Sequence, residues 1–478
     1  MKIRGLYFLG LSFFLLASCT KEENPVNKLP DTKIFLGEIN LSGEQRLTSQ
    51  VEIFWSGYDA DGFITGYELS INGGEWNYTT SSDSVFKFAI GAETDTPDID
   101  LRVRAIDNLD KRDPEPAFLR IPVKNTPPTI EFNRDLIPED STWIILSLLW
   151  SADDLDGVET IDSVSLKFND GPWYNFNSNL DFVSLVPEDP QSEGSTPFDL
   201  YLGLDANPYS GTINGLQLNN DNNIYIRAKD VAGSYSIVDT LEPIFIKKQN
   251  SDLLLVDAGS AIPRPRSVWL PMINQVYNNG SDYISLVDYG GNYVPAFWNP
   301  TFDLLISQYD KVFLNTDAAE LNGALVLEQA ADAIQKYLNN NGKMLISTSL
   351  PFDIREGSAI FSFSPMDSLS SSDGQARLVT DSQLVATANA TGYDALTSSA
   401  FIVGADPFYA KTGAEVLFKA QLTRINGWSG PDNAIAKSRN SEGNTNQVFS
   451  SFELHLLNKD EDALETFFDQ VLNEEFDW

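Results

Sequence analysis

Three blocks of residues recur in the same order in the first half of the chain, and this duplication limits the possible folds more than any other feature. The first copy reads Trp55-Ser-Gly-Tyr-Asp59-Ala-Asp61-Gly62, then Tyr67 to Trp76, then Arg104-Ala105-Ile106-Asp107. The second reads Trp150-Ser-Ala-Asp153-Asp-Leu-Asp156-Gly157, then Ser165 to Trp173, then Arg227-Ala228-Lys229-Asp230. The spans from Trp55 to Trp76 and from Trp150 to Trp173 are similar, and the second copy carries an insertion near 180–218. Each copy is therefore one structural unit, and both should share one fold.

That fold is all-β. Val51-Glu-Ile53-Phe-Trp55, Tyr67-Glu-Leu69-Ser-Ile71 and Leu101-Arg-Val103-Arg-Ala105 alternate apolar with polar residues, the period of half-buried strands. Asn72-Gly73-Gly74 and Asn169-Asp170-Gly171 are hairpin turns that require positive φ. Several strands per copy favour a β-sandwich. On Trp55 and Trp150 as core tryptophans, and on the two Arg-Ala-x-Asp strands, the pattern resembles tandem fibronectin type III or Ig-like modules. The resemblance covers roughly residues 32–125 and 128–248 and implies modules at 32–125 and 126–249, with Asn125-Thr126-Pro127-Pro128 as a proline-stiffened linker. It implies spacers or binding platforms.

Residues 250–478 have a different character. Leu253–Val256, Tyr283–Val287, Lys311–Leu314 and Lys343–Ile346 are apolar runs suited to strands buried on both faces. Helical patterns alternate with them: Val268 to Asn279, ended by Gly280, and a stripe of Leu327, Ala330, Ala331, Ile334, Tyr337 and Leu338, stopped by Asn341-Gly342. The expected architecture is multidomain: two all-β sandwich modules, then an α/β domain with a mainly parallel sheet. Ala330 to Thr348 resembles the helix-then-strand unit of class I glutamine amidotransferase-like (flavodoxin-like) domains. That family places a nucleophilic Cys on the turn after this strand and a His late in the domain. Here the turn reads Ser347-Thr348-Ser349-Leu350-Pro351, without Cys. The one histidine, His455, lies in Phe452-Glu-Leu-His455-Leu, read as a late strand and lacking the family's His-Pro-Glu context.

The one cysteine lies elsewhere. Lys2 and Arg4 precede an apolar run from Leu6 to Leu16, which ends in Leu16-Ala17-Ser18-Cys19. The run is shorter than the roughly 20 residues of a transmembrane helix. Residues 1–18 thus read as a signal peptide. Leu-Ala-Ser-Cys resembles the lipobox of bacterial lipoproteins, which implies diacylation of Cys19 and attachment to a membrane. Thr20-Lys21-Glu22-Glu23 resembles the surface-export tag of lipoproteins in one Gram-negative phylum, which implies a lipid anchor in the outer membrane and exposure at the cell surface. Residues 19–31, with Pro25 and Pro30, form the tether. An acylated Cys19 leaves no thiol for disulfides, zinc or catalysis.

With 32 basic and 68 acidic residues the net charge is −36, which repels nucleic acid. Carboxylates could hold Ca²⁺, and the recurrent sets Asp59, Asp61, Asp107 and Asp153, Asp156, Asp230 are the metal candidates. The same acids also suit Asx turns in Asp-x-Asp-Gly and a loop cap in Arg-Ala-x-Asp. Ser347 or Ser349 with His455, oriented by Glu453 or Asp353, could form a hydrolytic pair. Asp257, Arg264, Arg266, Tyr289, Tyr293, Phe297 and Trp298 follow the first two α/β strands, where open α/β sheets bind ligands. Aromatic faces beside polar groups suit a glycan, a peptide or an envelope protein. The sequence thus supports a non-catalytic binding or scaffold role. A hydrolase and a structural subunit of an envelope assembly are the alternatives. No cofactor beyond Ca²⁺ is implied.

Overall fold

The computed structural model describes residues 26–37, 41–42, 46–88, 90, 96–261, 264–287, 298–321, 323–351, 354, 357–370 and 374–477. Cys19, the tether up to 25, Tyr289, Tyr293, Phe297 and Asp353 lie outside the described residues. The chain forms two compact units. One ends at Thr126 and takes in Leu155–Gly157. The other runs from Pro127 onward, apart from those three residues.

In the first unit the pleat sorts side chains as the alternation predicts. Along strand Gln50–Tyr58, Val51, Ile53 and Trp55 are buried, while Glu52, Phe54 and Ser56 are exposed. A three-stranded antiparallel sheet joins Asp31–Leu36, Gln50–Tyr58 and Asp83–Lys87. A six-stranded sheet is centred on Ala117–Lys124, Asp98–Asp107 and Ile64–Ile71. Trp55, Ile53, Leu101, Val103, Ile121 and Val123 fill one core. The unit is a β-sandwich.

The second copy builds a larger sandwich of the same kind. Leu146–Asp153 runs in a five-stranded sheet, and Ile161–Phe168 pairs with Trp173–Asn177 and Ile224–Asp230 in a four-stranded one. Trp150, Leu148, Val164, Leu166, Phe198 and Ile226 share its core. The repeat holds at the level of register. Glu68 stands opposite Arg104 in the first copy, and Ser165 stands opposite Arg227 in the second.

The motif arginines have a structural role in both copies. Arg104 lies over the Trp76 ring at 4.1 Å and pairs with Glu68, which also binds Arg112. Arg112, and against the desolvation Arg104, hold the Glu68 carboxyl below its ordinary range. In the second copy Tyr235 replaces Arg112, and Arg227 is sandwiched between Trp173 and Tyr235, 4.2 Å from each. An ion-pair ladder in one copy becomes a cation–π ladder in the other.

A nine-stranded mixed sheet follows. Five parallel neighbours come in the order Asp282–Ser285, Leu253–Asp257, Lys311–Asn315, Lys343–Ser347, Thr445–Ser450. In chain order this is 2-1-3-4-5, the flavodoxin-like arrangement. Four further strands, from Asn433–Arg439 to Leu396–Thr397, extend it antiparallel. The sheet is therefore less parallel than the expected one. Its antiparallel half comes from short polar-flanked segments after residue 380, whose pattern gives no βαβ signal.

The parallel strands are buried on both faces. Leu254, Val256, Val312 and Leu314 face a core with Phe302, Ile334 and Tyr337. Leu253, Leu255, Phe313 and Leu345 face one with Trp269, Ile273 and Phe467. Ile144, Ile145 and Val186 of the second sandwich belong to the first of these cores, and Ser147 Oγ meets Thr301 Oγ1 at 2.5 Å. The predicted stripe is buried as expected, but Ala330 separates helix Val326–Gln329 from Ala331–Asn339. Gly342 closes the second: a Cβ there would lie 2.4 Å from the Tyr337 ring.

Candidate binding site at the strand switch point

In a 2-1-3-4-5 sheet the strand order reverses between the first and third strands, and their carboxyl ends frame the crevice. Here those ends are Asp257 and Asn315. Asn315 Nδ2 donates to Asp257 Oδ1 at 3.0 Å, Tyr283 OH donates to Oδ2 at 3.2 Å, and the Gly259 N–H also reaches Oδ1. Asp257 thus ties together three adjacent strands. It is fully buried, and burial pushes its carboxyl above the ordinary range against these donors and Arg266.

Basic and aromatic groups border it. Arg266 Nη1 donates to Tyr283 OH at 2.7 Å and its guanidinium lies 5.3 Å from that ring. Arg264 Nη1 donates to the Gly259 carbonyl at 3.1 Å. Gly259 has a steric reason to lack a side chain, since a Cβ would come within 2.9 Å of Asn315 Nδ2. Asp317 Oδ2 accepts from both the N–H and hydroxyl of Ser260, at 2.6 and 2.7 Å. Asp257, Arg264 and Arg266 are therefore brought together as the sequence reading grouped them. Trp298 is placed differently. It is 7% exposed, edge-to-face with Phe302 at 5.0 Å, and its Nε1 donates to Gln329.

The next two strand ends hold the serines and the histidine. Ser347 is fully buried, and its Oγ accepts the Leu454 N–H at 3.0 Å. Ser349 Oγ accepts the Ala318 N–H at 3.2 Å and also bonds Glu453. His455 is not on a strand. The strand ends at Ser450, whose hydroxyl donates to the Phe452 carbonyl, and the chain turns through the 3₁₀ segment Leu454–Leu456. Among the described residues the Nδ1 of His455 has no hydrogen-bond partner, and Glu453 Oε2 lies 3.5 Å away. Burial pushes the imidazole down to about 4, against the pull of Asp317. Burial pushes Glu453 up. Near neutral pH the ring is uncharged, and a pKa near 4 makes it a weak base.

The recurrent aspartates accept mainly from backbone N–H groups. Asp107 Oδ1 accepts the Leu109 and Lys111 N–H groups at 2.8 Å, and Asp230 Oδ1 accepts Ser234 N–H at 2.7 Å. Each of these two acids caps the loop that follows its strand. Asp61 accepts the Lys28 N–H, and Asp156 accepts the Thr126 N–H at 3.1 Å. Lys28 and Thr126 stand at the same place before the first strands of their modules, Asp31–Leu36 and Thr129–Phe132. The second acid of each copy therefore clasps the chain entering its module. Asp59 Oδ1 accepts the Asp61 N–H at 3.4 Å, and Asp153 Oδ1 that of Asp154 at 2.9 Å. Among the described residues, no three His, Cys, Asp or Glu side chains converge as a metal-ligand set.

The sequence reading missed Asn315, Asp317, Tyr283 and Ser260. The available signal was positional: Asn315 closes its apolar run as Asp257 closes the first.

No family model matches the chain. No curated protein matches it. Among solved structures it is similar to the fibronectin(III)-like modules of Clostridium thermocellum CbhA, at 14% identity over 45% of this chain and 94% of that one, with a TM-score of 0.18. It is similar to a two-domain fibronectin type III segment of chicken tenascin, at 13% identity over 45% and 97%, with a TM-score of 0.20. A third is the PKD1 domain of the Vibrio cholerae metalloprotease PrtV, at 16% identity over 20% and 99%, with a TM-score of 0.15.

Proposed function

We propose that this chain is an outer-membrane lipoprotein, anchored through acylated Cys19 and exposed at the cell surface, that binds or scaffolds without catalysis. The two β-sandwiches act as fibronectin type III-like or Ig-like spacers. The α/β domain, read as amidotransferase-like without the nucleophilic Cys, offers its switch-point crevice to an extracellular glycan, peptide or protein. The observation that carries the non-catalytic reading is the use of Ser347. Its hydroxyl is buried and accepts the Leu454 N–H, so it holds the loop that bears His455. A nucleophile must instead have its proton within reach of a base. Arg266 and Tyr283 stand at these strand ends, tied through the Tyr283 hydroxyl to the buried Asp257, and a cation beside an aromatic ring suits polar ligands with apolar faces.

The anchoring part is tested by metabolic labelling with an alkynyl palmitate. Label is expected on the wild-type chain and lost in Cys19→Ala. Proteinase added to intact cells is expected to digest the wild-type protein. Label retained in Cys19→Ala, or protection on intact cells, counts against the anchor or the surface location respectively.

A further inference from the structure

The first β-sandwich carries an exposed apolar cap at the pole where strand Asp31–Leu36 begins. Tyr58 stands opposite Asp31 at that end. Phe63 and Leu109 belong to two loops joined there, since the Phe63 N–H donates to Asn108 Oδ1 at 3.1 Å. Tyr58, Phe63 and Leu109 are 68%, 65% and 57% exposed. Three large apolar side chains thus stand exposed at one pole, Tyr58 at the end of its strand and Phe63 and Leu109 on adjoining loops.

The incoming chain is fastened at the same pole. The Asn27 side-chain amide donates to Asp107 Oδ2 at 2.5 Å, and the Lys28 N–H donates to Asp61. This clasp fixes Asn27, eight residues after Cys19 in the sequence. An extended chain spans at most about 3.6 Å per residue, which keeps the pole within roughly 30 Å of an acyl chain on Cys19. The clasp engages Asp61 and Asp107 through backbone and amide donors, and the exposed apolar side chains stand among exposed Asp61, Asp110 and Lys111.

We infer that Tyr58, Phe63 and Leu109 seat the first module on the lipid surface, at the boundary between headgroups and acyl chains. The inference rests on acylation of Cys19, as proposed above. Aromatic and aliphatic side chains favour that boundary, and a Tyr hydroxyl keeps its hydrogen bonds to headgroups and water there. The net charge of −36 gives no attraction to anionic lipid, so the contact is apolar and suits zwitterionic membranes.

The full-length lipidated protein, reconstituted in phosphatidylcholine vesicles, tests this. An environment-sensitive NBD dye is attached at Phe63→Cys, and in a second protein at Glu75→Cys, in the hairpin at the opposite end of strand Ile64–Ile71. Acylation of Cys19 is verified by mass spectrometry. The expected result is a blue shift and at least about a twofold rise in emission at position 63, with neither at 75. Equal emission at the two positions, with the acyl chains present, overturns the seat and leaves the anchor standing. Absence of the acyl chains overturns both. A blue shift at 63 in vesicle-free Cys19→Ala protein assigns the cap to a second copy of the chain, and also overturns the seat.

Discussion

Trp269→Ala is expected to destabilise the unit that holds the mixed sheet by about 3–5 kcal/mol, the range for emptying a fully buried aromatic site. Trp269 has no exposed surface, meets Phe313 edge-to-face at 5.0 Å, and lies 6.4 Å from Tyr283. It anchors helix Arg266–Val276 on the sheet face that also holds Ile273, Phe467 and Phe468. The lost apolar area accounts for part of the cost, and the cavity between helix and strand for the rest. Differential scanning calorimetry of the full chain reads it as a lower melting temperature for this unit. The β-sandwich that ends at Thr126 should melt unchanged, because it has its own core. Trp269→Phe should recover more than half of the loss. A shift of both transitions by the same amount would mean that the cores are not separate. The variant also reaches the crevice, since Arg266 starts the same helix and orients Tyr283.

His455→Leu should remove a large acid-side loss of stability. The imidazole is buried, and its pKa falls from 6.5 to about 4 on folding. Between those values the unfolded chain binds a proton that the folded chain refuses. Stability contributed by the neutral ring is therefore complete above pH 6.5 and falls as the pH drops toward 4. At about 1.4 kcal/mol per pH unit the loss approaches ~3 kcal/mol. Asp257 and Glu453, both pushed up by burial, and Asp406, pushed up to about 7, act in the opposite direction: their contribution falls as pH rises. A comparison of wild type with His455→Leu isolates the imidazole. Urea titrations at pH 7 and pH 4 should show the variant gaining on the wild type at the lower pH by most of that amount. A wild type that gains on the variant as the pH falls would mean that His455 is protonated and paired with Glu453.

Much of the fold was legible because it depends on period and order. The duplicated blocks gave two sandwiches, and the fully apolar runs gave the first four parallel strands. The antiparallel half of the sheet was not legible, because segments such as Gln383–Ala386 and Leu396–Thr397 are short and join through non-local pairings. His455 looked like a strand residue, because Phe452, Leu454 and Leu456 alternate. A long-range hydrogen bond from the Leu454 N–H to Ser347 prevails over that local pattern, and sequence spacing cannot show it. The Asp-x-Asp motif gave its positions but not its partners. Lys28 and Thr126 contribute only backbone N–H groups, which leave no trace in residue type.

Reactivity at the strand ends is the most direct measure of the non-catalytic reading. The full-length protein is incubated with a serine-directed fluorophosphonate, alongside a known serine hydrolase, and peptides covering Ser347 and Ser349 are analysed by mass spectrometry. No adduct on either serine is expected, because one hydroxyl is buried against the Leu454 N–H and the other is bonded to Ala318 and Glu453. A stoichiometric adduct at Ser347 or Ser349 that disappears in His455→Leu would contradict the account and establish the Ser–His hydrolase in its place.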